Sequence, residues 1–292
     1  MKIVILGSTG LLGNTISKYF FERADYQTIA VSRNYSKIKL FNKKYHKNFL
    51  IIENILDYIE IKKTLQTLEP DILINCLGIT NKEKIDNSRQ IENFININSL
   101  LPHRLQKICS EMGTRLIHFS TDCIFSGSKG FYSENDIPDP TNIYGRSKLL
   151  GELNLENTLT IRKSVIGHEL VSRKGLLEWF LNQNRPVQGY KNVIFSGLTV
   201  LELAKLLDKY IFPRSDLKGI LNISGESISK FDLLKIISDI YNKSIEIIPN
   251  QSIKINRTLN SSQFNKLTGY SPNSWPVLIK SMYEFNLLNK WI

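Results

Sequence analysis

Through the first 120 residues, short uninterrupted apolar runs alternate with longer amphipathic stretches. Ile3 to Leu6, Thr28 to Ser32, Phe49 to Ile52, Asp71 to Asn75 and Arg115 to Ser120 read as strands. Leu11 to Glu22, Tyr58 to Leu68 and Asp86 to Met112 read as helices between them. Apolar runs without polar alternation mark strands buried on both faces. Strands alternating with helices predict βαβ units and a doubly wound parallel sheet, the α/β class. Ligands of such sheets sit outside the carboxyl ends of the strands. Chemistry is therefore expected in 7–13, 32–34, 53–57, 76–82 and 120–148.

The stretch from Thr121 to Ile143 holds Gly127, Gly130, Pro138 and Pro140 and no clear periodicity. A loop that long inside a compact domain is usually functional. Beyond Ile166 the pattern weakens. Helices are expected at Gly175 to Asn184, Val200 to Ile211 and Lys230 to Asn242, with strands at Ile220 to Ile223 and Ile245 to Ile248. That change predicts a small C-terminal lobe over the sheet edge.

Composition removes several classes. With 42% hydrophobic residues in 292, the chain is neither disordered nor fibrous. Cys76, Cys109 and Cys123, three in number and without a CxxC pair, exclude a disulfide framework and a zinc site and suit a reducing cytoplasm. His46, His103, His118 and His168 show no metal-ligand spacing, so no metal is expected. Trp179, Trp275 and Trp291 read as packing residues. No segment approaches the roughly 18 apolar residues of a membrane span. The net charge of +11 admits nucleic acid or an anionic ligand, but no nucleic-acid-binding pattern accompanies it.

Gly7-Ser8-Thr9-Gly10-Leu11-Leu12-Gly13 follows the first strand and opens the first helix. Gly7 permits the tight turn, Gly10 lets a pyrophosphate approach the backbone, and Gly13 lets helix pack on strand. The helix N-terminus offers free N–H groups to the anion. At the end of the second strand, Ser32, Arg33 and Asn34 stand where an NAD site carries an acid. Arg33, with Lys37 nearby, favours the 2′-phosphate of NADP(H); the plainer alternative is a solvated surface arginine.

Tyr144-Gly145-Arg146-Ser147-Lys148 puts a tyrosine and a lysine on one helical face. An ammonium one turn away is expected to lower the phenol's pKa, so that the tyrosine can exchange a proton with a carbonyl oxygen. Tyr35…Lys39 and Tyr58…Lys62 match the same spacing, but only Tyr144 follows the fifth strand. Ser120-Thr121-Asp122 ends that strand, where the Thr121 hydroxyl can hold the same carbonyl oxygen. The alternative is a turn in which Thr121 and Asp122 cap backbone N–H groups.

These residues, with Phe125-Ser126-Gly127, Tyr132-Ser133-Glu134, Asp136-Ile137-Pro138 and the run Pro140 to Glu152, resemble the extended short-chain dehydrogenase/reductases, and within them the dTDP-4-dehydrorhamnose reductase-like branch. Asn75-Cys76-Leu77-Gly78, Ile161-Arg162-Lys163-Ser164, Arg257 and Asn260-Ser261 extend the likeness. The resemblance implies a Rossmann-type sheet and a catalytic Thr121, Tyr144 and Lys148. It implies cofactor contacts from Gly7, Thr9, Gly10, Leu11, Leu12, Gly13, Arg33, Asn54, Ile55, Cys76, Leu77 and Gly78, with Tyr144 and Lys148. Asp122, Cys123 and Arg257 are implied on the substrate side. The implied organisation is an NADP(H)-binding domain over 1–166, to which 190–225 returns, and a mainly substrate-binding lobe over 167–292.

Two positions depart from the family. Cys123 stands where an aromatic is usual, which either widens a sugar pocket or is a core cysteine without consequence. Val165-Ile166-Gly167-His168 lacks the aromatic often found before the glycine. The implied activity is NADPH-dependent reduction of a nucleotide-linked 4-keto-6-deoxy sugar for bacterial surface polysaccharide, in the cytoplasm, with a homodimer compatible. A sugar-nucleotide epimerase and a non-catalytic NADP-binding regulatory subunit are the alternatives. The dehydratases of the superfamily place Glu where this chain has Cys123, which argues against dehydration.

Overall fold

A computed structural model of the protein describes residues 1–80 and 88–289. Seven parallel strands form its central sheet: β1 (Lys2–Leu6), β2 (Gln27–Ser32), β3 (Phe49–Ile51), β4 (Ile72–Asn75), β5 (Arg115–Phe119), β6 (Thr158–Arg162) and β7 (Gly219–Asn222). Their order is β7-β6-β5-β4-β1-β2-β3. The order reverses between β1 and β4, so a crevice opens at the carboxyl ends of those two strands.

Helix α1 (Leu11–Phe21) packs one face of the sheet, and α2 (Tyr58–Leu68) lies on the other. The expected long helix after β4 is compound. Ser88–Phe94 and Leu101–Met112 are α-helical and meet through a π-helical segment, Ile95–Leu100, the three together forming α3. Its expected start at Asp86 lies outside the described residues. The loop from Thr121 is less irregular than its composition suggests: a 3-10 turn spans Asp122–Ile124, and α4 covers Ile143–Leu150. Strand β6 was not expected, because Thr158 and Thr160 interrupt its apolar run; both are buried and their hydroxyls bond the Leu155 and Leu153 carbonyls.

Beyond β6 the chain adds α5 (Leu176–Leu181), α6 (Val200–Leu206, continued by a π-helical turn at Leu207–Ile211), α7 (Lys230–Ile240), α8 (Ser262–Thr268) and α9 (Trp275–Leu288). Neither α8 nor α9 was expected. The larger core joins Ile5, Ile74, Ile117 and Phe119 of the sheet to Phe20 of α1, Leu203 of α6, Leu234 of α7 and Leu278 of α9. The opposite face buries Val4, Leu6, Leu73 and Leu116 beneath Leu65, Leu105 and Ile108. The sheet and these later helices therefore share one apolar core on one side. Trp275 is buried in it, Trp179 is 37% exposed on α5, and Trp291 lies outside the described residues. Among the described residues no helix is long and apolar enough to cross a membrane.

Candidate active site

The three glycines of the first turn are required for different reasons. Gly7 has a φ of +73°, and a Cβ there would come within 3.1 Å of Cys76 and Leu77 atoms. At Gly13 a Cβ would lie 2.2 Å from the Gly7 carbonyl oxygen, so helix and strand could not close. Gly10 has φ −83° and ψ 178°, which any residue adopts, and a Cβ would meet only the Gly7 oxygen at 3.4 Å. The protein itself leaves that space open. It lies at the N-terminus of α1, where no side chain caps the helix, and its first N–H groups are free for an anion. That cradle fits a dinucleotide pyrophosphate. Thr9 forms part of the turn, and Leu11 and Leu12 anchor the first helical residues to the larger core.

The other expected cofactor residues lie along the same edge. Arg33 is exposed directly after β2. Asn54 follows β3 in a turn where its side chain accepts from the Leu56 N–H at 3.1 Å, and Ile55 packs on the second core. Cys76, Leu77 and Gly78 follow β4; the Asn75 side chain accepts from the Leu77 N–H at 3.1 Å and fixes that bend.

At the end of β5, Thr121 does what its turn requires and more. Its hydroxyl oxygen accepts from the Cys123 N–H at 3.2 Å, capping the 3-10 turn, and donates to Asp122 at 3.2 Å. The Tyr144 phenol lies beside it, close enough for the hydroxyl to favour the phenolate. Asn142 caps α4 by accepting from the Gly145 N–H at 2.9 Å. A Cβ on Gly145 would lie 2.1 Å from the Cys123 carbonyl oxygen, so only glycine lets α4 seat Tyr144 against Thr121. Arg257 closes the far side, its Nε donating to the Phe125 carbonyl at 2.8 Å. Burial and neighbouring Asp122 push the Cys123 thiol up to about 11, against the pull of Arg257. The two chance tyrosine–lysine pairs lie elsewhere: Lys39 rests over the Tyr35 ring, and Lys62 bonds Glu111 at the surface.

The expectation that Lys148 draws the Tyr144 pKa down is not met. Burial raises it, Cys123 and Asp122 add to the rise, and only the Thr121 hydroxyl opposes them. The Lys148 ammonium is instead 3.5 Å from Nε2 of His118. Burial, then the charge of Lys163, lowers Lys148 to about 7, while Glu152 acts in the opposite sense. His118 is fully buried and pairs through Nδ1 with Asn75 at 3.1 Å. Burial, then Lys148 and Lys163, holds its pKa far below the ordinary value, so it stays neutral.

Two residues that shape the site, Asn98 and Ser99, were not singled out from the sequence. Asn98, in the π-helical turn of α3, accepts from the Ile79 N–H at 2.8 Å. Its amide donates to the Ile79 carbonyl and the Ser147 hydroxyl, each at 3.0 Å. Ser99 donates to the Ser147 carbonyl at 2.8 Å. Together they clamp α4 to the loop after β4. Glu152 and Arg162, both 5% exposed, form a bidentate pair at 2.7 to 2.9 Å, and Ser120 donates to the same carboxylate at 2.6 Å. The signal for Asn98 was an amide inside an otherwise helical apolar pattern. His46 bonds the Phe41 carbonyl, His103 the Leu150 carbonyl, and His168 lies between Glu178 and Tyr241. All three cysteines are free, and no metal-binding cluster occurs among the described residues.

Comparison with known proteins gives this geometry a family. The model of the RmlD substrate binding domain matches residues 1–182. Methionine adenosyltransferase 2 subunit beta of Danio rerio is 30% identical over 152 residues, 52% of this chain and 42% of that protein. The probable low-salt glycan biosynthesis reductase Agl14 of Haloferax volcanii is 29% identical over 153 residues, 52% of this chain and 48% of that one. The match thus spans less than half the length of either relative. A dTDP-4-dehydrorhamnose reductase from Bacillus anthracis, solved in complex with NADP, superposes with a TM-score of 0.77. It is 20% identical, and the superposition covers 97% of this chain and 99% of that one.

Proposed function

This chain belongs to the RmlD substrate binding domain family, and from that premise we propose that it is an NADPH-dependent reductase of a nucleotide-linked 4-keto-6-deoxy sugar. The observation that carries the reading is the meeting of Thr121 and Tyr144 with buried Lys148 at the carboxyl end of β5, beside a glycine turn that leaves space only at Gly10. Gly7, Gly10 and Gly13 hold the pyrophosphate, and Arg33 meets the 2′-phosphate. A nicotinamide held there would supply the hydride for the keto carbon. Thr121 orients the keto oxygen, and Tyr144, kept protonated by burial, gives that oxygen its proton. Lys148 anchors the nicotinamide ribose and, charged, eases reprotonation of the phenolate. Asp122, Cys123 and Arg257 border the sugar nucleotide.

Service in bacterial surface-polysaccharide precursor synthesis, in the cytoplasm, follows from the same reading. A second reading, a non-catalytic subunit that binds NADP(H), is favoured by the likeness to methionine adenosyltransferase 2 subunit beta. NADPH consumption against a panel of dTDP- and UDP-linked 4-keto-6-deoxy sugars separates the two. Turnover is expected with at least one sugar, and Tyr144→Phe should cut it about a hundredfold or more while NADPH binding persists. Undiminished turnover in that variant would falsify the assignment of Tyr144.

A further inference from the structure

Lys163 is a buried cation that the proposed mechanism does not use. It stands one residue past β6 and is 8% exposed. Its carbonyl accepts from the Asp122 N–H at 3.3 Å, tying it to the turn that carries Thr121. Its ammonium lies 6.0 Å from the centre of the Phe119 ring. Among the described residues that ammonium makes no hydrogen bond and no ion pair. A buried ammonium without a partner is costly, and its charge acts with little screening on whatever occupies the site.

The geometry gives that charge a direction. His118 and Phe119 are successive residues of β5, so they face opposite sides of the sheet. Lys148 approaches the His118 side, within 3.5 Å of its ring, while Lys163 approaches the Phe119 side. Two ammonium groups therefore flank the carboxyl end of β5, where Thr121 and Tyr144 would hold the reacting carbonyl. A hydride donor serving that carbonyl would come under the field of both charges. A dihydronicotinamide ring is neutral and its oxidised form is cationic.

We propose that Lys163 is a redox-state selector, whose ammonium disfavours the oxidised cofactor and so poises the site for NADPH and for reduction. This rests on the cofactor reading above. The adenosine, 2′-phosphate and pyrophosphate are identical in the two redox forms, so their contacts cancel from the ratio of affinities. What remains is the charge on the ring. Asp122 forms no ion pair within 4.0 Å of Lys163 among the described residues, and its carboxylate offsets the Lys163 charge only through space.

The groups facing Lys163 fix the pH dependence. Burial lowers its pKa, and Asp122, Cys76 and Cys123 act against that. The Cys76 and Cys123 thiols are themselves pushed up by burial and stay neutral, as does His118. Lys148 titrates at about 7. Burial thus moves the titration of Lys163 to lower pH, and the preference for the reduced form weakens as rising pH removes its proton. The difference between wild type and a Lys163 variant isolates this residue, because Lys148 is common to both.

The test is direct titration of NADPH and NADP⁺ binding to the full chain by calorimetry, across pH 6 to 9, in wild type, Lys163→Gln and Lys163→Arg. Wild type is expected to favour NADPH over NADP⁺ by about tenfold more than Lys163→Gln at the acid end. Lys163→Arg should retain the preference at every pH. An unchanged ratio in Lys163→Gln overturns the proposal, and so does a ratio lost in Lys163→Arg. Should Lys163→Gln not fold, Lys163→Met serves in its place, and an unchanged ratio in it likewise overturns the proposal. Failure of both forms to bind the wild type overturns the cofactor reading itself, a result distinct from equal binding of both.

Discussion

Lys148 shows at the scale of one residue how function and stability pull apart. Its ammonium is 3% exposed, and burial holds its pKa at about 7 against an ordinary 10.5. Between those values the unfolded chain binds more protons than the native one, so stability rises with pH across that window. The cost of the buried charge is fully present below pH 7 and is relieved as pH approaches 10.5. Replacing Lys148 by Met is expected to raise Tm by roughly 5 °C at pH 6, with the gain shrinking toward pH 10. Turnover should be lost in the same variant. Thermal melts across pH check the first expectation and NADPH consumption the second; a gain that grew with pH would contradict the assignment.

Among elements, α4 matters most because it carries Tyr144 and Lys148, and its position comes from neighbours rather than from its own sequence. It is eight residues long, marginal as an isolated helix. Gly145 lets it touch the Cys123 backbone, and Gly151 lets its end approach Asn98, where a Cβ would come within 1.9 Å of the Asn98 carbonyl oxygen. The π-helical turn of α3 turns Asn98 toward Ser147 and Ile79, an example of a π-segment placed beside a functional site. Asn98→Ala would leave the Ile79 backbone groups without their side-chain partner and the Ser147 hydroxyl with only the Tyr144 carbonyl, at a cost of about 1–3 kcal/mol. Because α4 would then sit less firmly, turnover should fall about tenfold or more with little change in NADPH affinity. Urea melts and steady-state kinetics measure both, and an unchanged kcat would show that α4 needs no clamp.

Across the whole molecule, the Glu152–Arg162 pair binds together segments distant in sequence. It links the end of α4 to β6, and Arg162 also donates to the Glu134 carbonyl at 3.2 Å. The Glu134 carboxylate in turn accepts from the Asn222 N–H of β7 at 2.8 Å. The long loop over the site is thereby fastened to the last strands of the sheet, and stacking of Phe125 on Tyr132 at 4.1 Å supports it from within. Arg162→Met would strand a buried carboxylate, which typically costs about 3–5 kcal/mol. Denaturant unfolding should show a midpoint lowered accordingly, and Arg162→Met combined with Glu152→Gln should recover part of the loss. A surface-like loss of well under 1 kcal/mol would mean that the pair does not hold the loop.

The first half of the fold was legible because its signals are local. Ile3 to Leu6 and Ile72 to Ile74 are apolar throughout since both faces are covered, and Gly7, Gly10 and Gly13 mark a turn whose requirements lie within seven residues. The proximity of Tyr144 and Lys148 follows from helical pitch alone. The lobe was harder to read because its helices bury their apolar faces against a core shared with the sheet, so α8 and α9 carry little signal of their own. Position in three dimensions also reversed one expectation: burial, which spacing does not report, raises Tyr144 and turns Lys148 toward His118. Lys163 was only part of a family likeness until β5 and β6 lay side by side. The sequence by itself determined the parallel α/β framework, the glycine cradle and the tyrosine–lysine pair, because these depend on periodicity and short-range sterics. Only the tertiary structure decided which buried charges face one another, because desolvation and Coulomb interactions depend on distances that the chain closes by folding.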